Sequence, residues 1–332
     1  MNEYKDFLKT KEKSFTSSGF EIDEAELNTN LFEFQKHVVK IALKKGRFAL
    51  FEDCGLGKTI QQLSWAEAVY NHTNMPVLIL APLAVVKQTE NECIKFGIDQ
   101  NAFDITNYDQ LKNVDCSQYS GVVLDESSIL KGRDGKLSRL IIDSFKDTPY
   151  KLACTATPSP NDHMELGQHS EFLGAMGYLE MLAMFFVHDG GETSKWRLRK
   201  HAQDDFWKYV CTWSISIDNP ETLGFHVEGY NLPEIEFVEH IIKMENNTQS
   251  LFGDVAVSAT ELHKDLKRSF DARISKTIEL VNNSDKQWII WTLKNDEATQ
   301  LNKVINDSVN VQGSDKAEIK AKNLNGFSEN EF

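Results

Sequence analysis

The chain has few of the features that would make it a metal-clustered, disulfide-bonded, membrane-spanning or strongly basic protein. Five cysteines, Cys54, Cys93, Cys116, Cys154 and Cys211, lie far apart among 332 residues, and no two form a C-x-x-C pair. That spacing signals neither a zinc site nor a disulfide framework. A reducing, cytoplasmic setting is expected. Apolar runs such as "LAMFFV" at 182–187 are far too short to span a bilayer, so no membrane partner is expected. The N-terminus "MNEYKDFLKTKEKSF" is charged and lacks the apolar core of a signal peptide. Thirty-six Lys and Arg stand against 50 Asp and Glu, a net charge of −14. This argues against a broadly basic nucleic-acid-binding surface, but binding needs only a local basic groove. Hydrophobic residues make up 41% of the chain, and the mean hydropathy is −0.41. The composition is that of a globular protein long enough for two domains.

What the sequence does contain begins at "FALFEDCGLGKTIQQLSWAEAV", residues 48–69. "RFALFED" reads as a short buried strand. In the helix that follows, Ile60, Leu63, Ala66 and Val69 recur at helical spacing. Gly55-Leu56-Gly57-Lys58-Thr59 lies between the two, which is the context of a phosphate-binding loop. Glycines let backbone N–H groups turn toward phosphate oxygens, and a helix N-terminus favours an anion. Lys58 is placed to reach the β- and γ-phosphates, and Thr59 to set its hydroxyl on Mg²⁺. ATP and Mg²⁺ are the expected cofactors. One departure stands out: the pattern G-x-x-x-x-G-K-S/T wants a glycine where this chain has Glu52.

A second constellation follows in "YSGVVLDESSIL", residues 119–130. Val122, Val123 and Leu124 read as a buried strand. Asp125 and Glu126 stand at its C-terminal end, where open α/β sheets bind ligands. Hydrolysis of a phosphoanhydride needs one carboxylate to hold Mg²⁺ and another to orient and deprotonate water. "YKLACTATPSPND" is a strand ending in Thr155-Ala156-Thr157-Pro158. Upstream, Gln35 stands 23 positions before Lys58, with Phe32 or Phe34 near enough in sequence to stack on a base. Its amide can donate and accept hydrogen bonds together. "VLILAPL" carries Pro82 and Leu83 beyond a strand, and "FDITNYDQL" carries Thr106, Asn107 and Tyr108 at another strand end.

"EDCGLGKTIQ" resembles the loop of the Swi/Snf-type branch of helicase superfamily two, commonly written D-E-M-G-L-G-K-T-x-Q. In that branch an acidic pair replaces the small residues that open the loop, and Glu52 and Asp53 hold those places here. The ordered set of Gln, phosphate loop, Asp-Glu pair and T-A-T-P resembles the wider D-E-x-x (DEAD/DEAH-type) helicases over about residues 31–160. The resemblance implies an α/β fold of the P-loop NTPase type, a RecA-like parallel sheet with flanking helices. It implies catalytic roles for Lys58, Asp125 and Glu126, with Asp125 and Thr59 on Mg²⁺ and Glu126 as the base. It implies ATP binding by Gln35, Gly55, Gly57, Lys58 and Thr59, and coupling of hydrolysis to movement through Thr155 and Thr157. Pro82, Leu83, Thr106 and Asn107, with Tyr108, are the implied contacts to a nucleic-acid backbone.

Residues 163–227 read as a helical insert, with a loop at Gly190-Gly191. Within it, "KWRLRKH" offers Lys195, Arg197, Arg199 and Lys200 to phosphates, while Trp196, Phe206, Trp207 and Trp213 read as packing residues. The W-R-L before D-D-F-W resembles a segment of phage-encoded Swi/Snf-like helicases, which implies a bacterial host cytoplasm. The expected organisation is an arm at 1–30, a first lobe at 31–227 and a partial second RecA-like lobe at 228–332. Strands are expected in "YNLPEIEFVEHIIKM", "KQWIIW" and "SVNVQG", alternating with helices. No Q-x-x-G-R-x-x-R follows, so the resemblance implies a motor truncated in its second lobe. The expected function is ATP-dependent translocation on DNA, duplex favoured over single strand, with RNA left open. The alternatives are a nucleotide- or DNA-binding module without turnover, and a P-loop kinase or transport ATPase that does not act on nucleic acid.

Overall fold

The apolar runs that read as strands come together as one parallel sheet. The computed structural model describes residues 17–132, 135–189, 192–230, 234–242 and 259–328. The chain forms two compact units, Met1–Leu232 and Pro233–Phe332.

In the first unit, α1 (Glu33–Lys45) leads into β1 (Arg47–Glu52), and α2 (Lys58–Thr73) into β2 (Val77–Ala81). Then come α3 (Leu83–Phe96), β3 (Phe103–Asn107), β4 (Gly121–Asp125), α4 (Lys136–Ser144) and β5 (Tyr150–Thr155). The insert supplies α5 (Leu166–Leu173), α6 (Tyr178–Phe185), β6 (Phe186–Asp189), β7 (Glu192–Leu198), α7 (Gln203–Trp213) and β8 (Ser214–Ile217). Six strands form a sheet in the order β3-β2-β4-β5-β1-β8. Every neighbouring pair in it is parallel. This is the expected parallel α/β sheet with flanking helices.

A parallel sheet is covered on both faces, which is why its strands are apolar without alternation. Phe48, Leu50, Ile79, Val123 and Leu152 face one core with Phe34, Val38, Leu63 and Trp65 of α1 and α2. Ala49, Phe51, Leu80, Leu124 and Ala153 face the other with Ile141, Phe172, Phe206 and Trp213. Burying each large side chain contributes about 1.5–3 kcal/mol. The described part of the N-terminal arm packs on this unit. Phe20 stacks on His72 with 3.9 Å between ring centroids, and Leu27 is buried. Residues 1–16 of the arm lie outside the described residues.

The insert differs from the helical expectation. β6 and β7 form an antiparallel hairpin, and β8 joins the main sheet beside β1. The cause is visible in "SISI": Ser214 and Ile217 are buried, and the segment extends an open edge of the sheet. Gly190-Gly191, expected as a loop, lies outside the described residues. Trp213 and Phe206 are fully buried, as packing residues should be, whereas Trp207 is 38% exposed.

The second unit holds α8 (Ala259–Arg268), α9 (Phe270–Asn282), α10 (Asn295–Val304) and α11 (Ala317–Ser328). Among its described residues there is no strand. This corrects the expected strands in the second lobe. Trp291 is 92% exposed and Phe237 90%. An apolar run becomes a buried strand only where neighbouring strands pair its backbone and layers cover its faces. None of the described residues here supplies that pairing. Of the expected strand "YNLPEIEFVEHIIKM", residues 231–233 and 243–244 lie outside the described residues.

Candidate nucleotide site

In a parallel sheet all C-terminal strand ends lie along one edge. β5 lies between β4 and β1, with Phe51 beside Thr155 and Cys154 beside Asp125. The sheet order therefore gathers the loop after β1, the carboxylates after β4 and the threonines after β5.

The loop after β1 turns through Gly55 at φ +87° and Gly57 at φ +79°. Both angles belong to the left-handed region that favours glycine. Space matters as well at Gly57, where a Cβ would stand 2.4 Å from Gln35 Nε2. Gly57 is also the N-cap of α2 and offers no capping side chain, so the first N–H groups of the helix have no side-chain acceptor there. Lys58 opens this helix, and its Nζ donates to the carbonyls of Glu52 at 2.8 Å and Asp53 at 2.9 Å.

Glu52, in place of the usual first glycine, is fully buried. Its Oε2 accepts from Gln61 Nε2 at 2.8 Å. Burial pushes its carboxyl up from 4.5 to about 7, against the opposing pull of the Gln61 hydrogen bond and the Lys58 charge. Gln61 and Gln35 both donate to the Leu56 carbonyl, at 3.3 and 2.9 Å. Gln35 Oε1 in turn accepts from the Phe32 backbone N–H at 2.9 Å. Gln35 thus ties the loop after β1 to the N-terminus of α1 through the two ends of its amide. Of the aromatics beside it, Phe34 is fully buried while Phe32 is 49% exposed.

Asp125 Oδ1 accepts from Gln62 Nε2 of α2 at 2.9 Å. Burial is the main cause that raises its pKa, and the neighbouring Glu126 adds to it. Glu126 Oε1 accepts from Thr155 Oγ1 at 2.7 Å, and the Thr157 N–H donates to the same Thr155 hydroxyl at 2.9 Å. The backbone of Glu126 is left-handed, at φ 58° and ψ 59°. For a residue with a Cβ and no short polar side chain, this conformation costs on the order of 1–2 kcal/mol.

The residues suit a hard divalent cation. Thr59 and Asp125 supply a hydroxyl and a carboxylate, and oxygen donors of this kind hold Mg²⁺ together with substrate phosphates and water. No cluster of three or more His, Cys, Asp or Glu that could hold a metal occurs among the described residues. A cation here would depend on the phosphates to complete its shell.

A groove of about 590 Å³ runs beside the carboxylates, lined by Pro82, Leu83, Asn107, Glu126, Lys131 and neighbouring residues. Thr106 is not part of its lining. Tyr108 is buried and turns inward, donating from its hydroxyl to the Asp125 carbonyl at 2.7 Å. The same residue lines the groove beside Asn107. The basic cluster is also divided. Arg199 donates to the carbonyls of Ala183 and Met184 at 3.1 Å each, at the C-terminus of α6. It serves as a helix cap there, because unpaired terminal carbonyls attract a guanidinium. Arg197 and Lys200 are exposed, and the side chain of Lys195 lies outside the described residues.

Sequence reasoning missed Gln62, Lys131 and His169. Gln62 follows the Gln of the loop motif by one position, and nothing in its spacing marks it as the partner of Asp125. His169 Nε2 shares a hydrogen bond with the Ser127 hydroxyl at 3.0 Å, both groups being buried. Only the fold brings them together.

No family model matches the chain. The similarities found are to SWI/SNF-related proteins and to helicases. A curated relative from Xenopus tropicalis, "SWI/SNF-related matrix-associated actin-dependent regulator of chromatin subfamily A-like protein 1", is 26% identical over 164 residues, covering 43% of this chain and 17% of that protein. The homologue from Caenorhabditis elegans is 27% identical over 160 residues, covering 41% and 23%. The chain thus spans less than a quarter of the length of these relatives. Among solved structures, the Sulfolobus solfataricus SWI2/SNF2 ATPase core in complex with dsDNA is 20% identical, covering 59% of this chain and 46% of that one, with a TM-score of 0.48. The UvsW helicase from Bacteriophage T4 is 15% identical, covering 44% and 58%, with a TM-score of 0.35.

Proposed function

We propose that this chain carries the ATP-hydrolysing lobe of a DNA translocase, with duplex DNA as its track. The observation that carries the reading is the convergence of Lys58, Asp125, Glu126 and Thr155 on one edge of the sheet, with Thr155 bonded to Glu126 at 2.7 Å. A threonine tied to a general base can report whether that base has taken a proton. This favours a motor over a kinase or transport ATPase. The curated relatives are named as regulators of chromatin, which agrees with DNA as the track.

In this reading the N–H groups of the loop and of the first turn of α2 cradle the phosphates, and Lys58 exchanges its two carbonyl partners for β- and γ-phosphate oxygens. Thr59 and Asp125 would hold Mg²⁺, which supplies charge neutralisation at those phosphates. Glu126 orients a water against the γ-phosphorus and takes its proton as the new P–O bond forms and the bond to the β,γ-bridging oxygen breaks. Phe32 stacks on the base beside Gln35. Thr155 and Thr157 transmit the state of Glu126. Pro82, Leu83 and Asn107, with Lys131, Arg197 and Lys200, meet the DNA backbone, where contacts position the strand and do not read its sequence.

The test is steady-state ATP turnover with and without duplex DNA, beside Glu126→Gln. Turnover stimulated by duplex and reduced at least about 10²-fold by Glu126→Gln is expected. Turnover indifferent to DNA would overturn the translocase reading. A second reading, a binding module without turnover, is favoured by the lack of strands among the described residues of the second unit. It predicts ATP binding with no hydrolysis in the same assay.

A further inference from the structure

We propose that Tyr108 and His169 are positioning residues that hold the Glu126 backbone in its left-handed conformation. The inference rests on the reading of Glu126 as the general base. Three non-glycine residues among the described ones have positive φ: Asn74, Glu126 and Asp307. Asn and Asp tolerate that region because their short polar side chains can bond locally. Glu126 has no such excuse, and strained backbone at a functional position persists only when its surroundings over-determine it.

The surroundings here act on both sides of the residue. Before it, the Asp125 carbonyl is held by the Tyr108 hydroxyl at 2.7 Å. After it, the Ser127 hydroxyl is held by His169 Nε2 at 3.0 Å. Tyr108, Ser127 and His169 are all buried, so neither bond competes with bulk water. The imidazole of His169 is kept neutral by burial, its pKa pushed down to about 4, and its partnership with Ser127 therefore persists across the working pH range. If either pin is lost, the peptide units flanking Glu126 can relax toward an ordinary conformation. Relaxation would swing the carboxylate off the line to the attacking water, although the carboxylate itself is unchanged. Because Tyr108 directly follows Asn107 of the groove, the first pin also links a groove-lining loop to the base.

The test compares Tyr108→Phe, Ser127→Ala, His169→Gln and the Ser127→Ala/His169→Gln double variant with wild type, in DNA-stimulated ATP turnover and thermal melting. Tyr108→Phe and Ser127→Ala delete single hydroxyls and preserve packing, so they serve even if His169→Gln fails to fold. The expected result is a kcat at least tenfold lower in each folded variant, with KM for ATP within about twofold of wild type. The double variant is expected to lose about as much as one single variant, since both singles break one bond. Folded Tyr108→Phe and Ser127→Ala with wild-type kcat would overturn the inference while leaving the general-base reading intact. Wild-type protein with no turnover at all would overturn both.

Discussion

Replacing Glu52 by Gln should change the pH dependence of stability in a defined direction. The carboxyl is fully buried, one oxygen accepts from Gln61, and the other has no partner among the described residues. Its pKa is raised from 4.5 to about 7. Between those values the folded chain keeps a proton that the unfolded chain releases. The stability this group contributes is therefore full below pH 4.5 and is lost as pH rises through 7. At about 1.4 kcal/mol per pH unit the whole loss is about 3 kcal/mol, most of which falls between pH 5 and pH 8. His169 works the other way: its pKa is lowered from 6.5 to about 4, so its contribution is lost as pH falls through the same window. A wild-type curve alone would blur the two. The difference between Glu52→Gln and wild type isolates Glu52, because His169 is common to both. Urea unfolding followed by tryptophan fluorescence is the assay, since Trp65 and Trp213 are fully buried in the first unit. Glu52→Gln should gain about 2–3 kcal/mol on wild type in going from pH 5 to pH 8. An unchanged difference between the two pH values would refute the reasoning and mean that Glu52 stays ionised in the fold.

Thr155→Val removes the donor to Glu126 with little change in shape, and should lower kcat by about 10- to 100-fold with ATP KM nearly constant; stopped-flow phosphate release reads this. Gly57→Ala forces a Cβ to within 2.4 Å of Gln35 Nε2 at φ +79°, and should weaken ATP binding at least tenfold by calorimetry. Trp213→Ala empties a fully buried site beside Phe51 and should cost about 3–5 kcal/mol in urea unfolding.

The sheet of the first unit was legible because its strands are buried on both faces and its motifs sit at their ends. Continuous runs such as "VLILA" and "GVVLD" became β2 and β4, and Gly55, Gly57 and Lys58 announced the loop between β1 and α2. Side-chain partnerships were less legible. Gln62 with Asp125 and Ser127 with His169 join positions far apart in sequence, and only the sheet order brings them together. Tyr108 read as a contact at a strand end; it lines the groove, and its bond to the Asp125 carbonyl had no signal in the sequence. The strand readings of "KQWIIW" and "SVNVQG" failed for a different reason. Apolarity shows that a segment seeks partners, but not that the partners are present.

The most direct measurement is ATP affinity with and without Mg²⁺, for wild type, Lys58→Ala and Asp125→Asn. If the loop after β1 and the carboxylates after β4 form one site, wild type should bind ATP more tightly with Mg²⁺. Lys58→Ala should then lose at least tenfold in affinity, and Asp125→Asn should lose most of the Mg²⁺ dependence. Equal ATP affinity in wild type and Lys58→Ala, with no response to Mg²⁺, would contradict the assignment of this edge of the sheet as a nucleotide site.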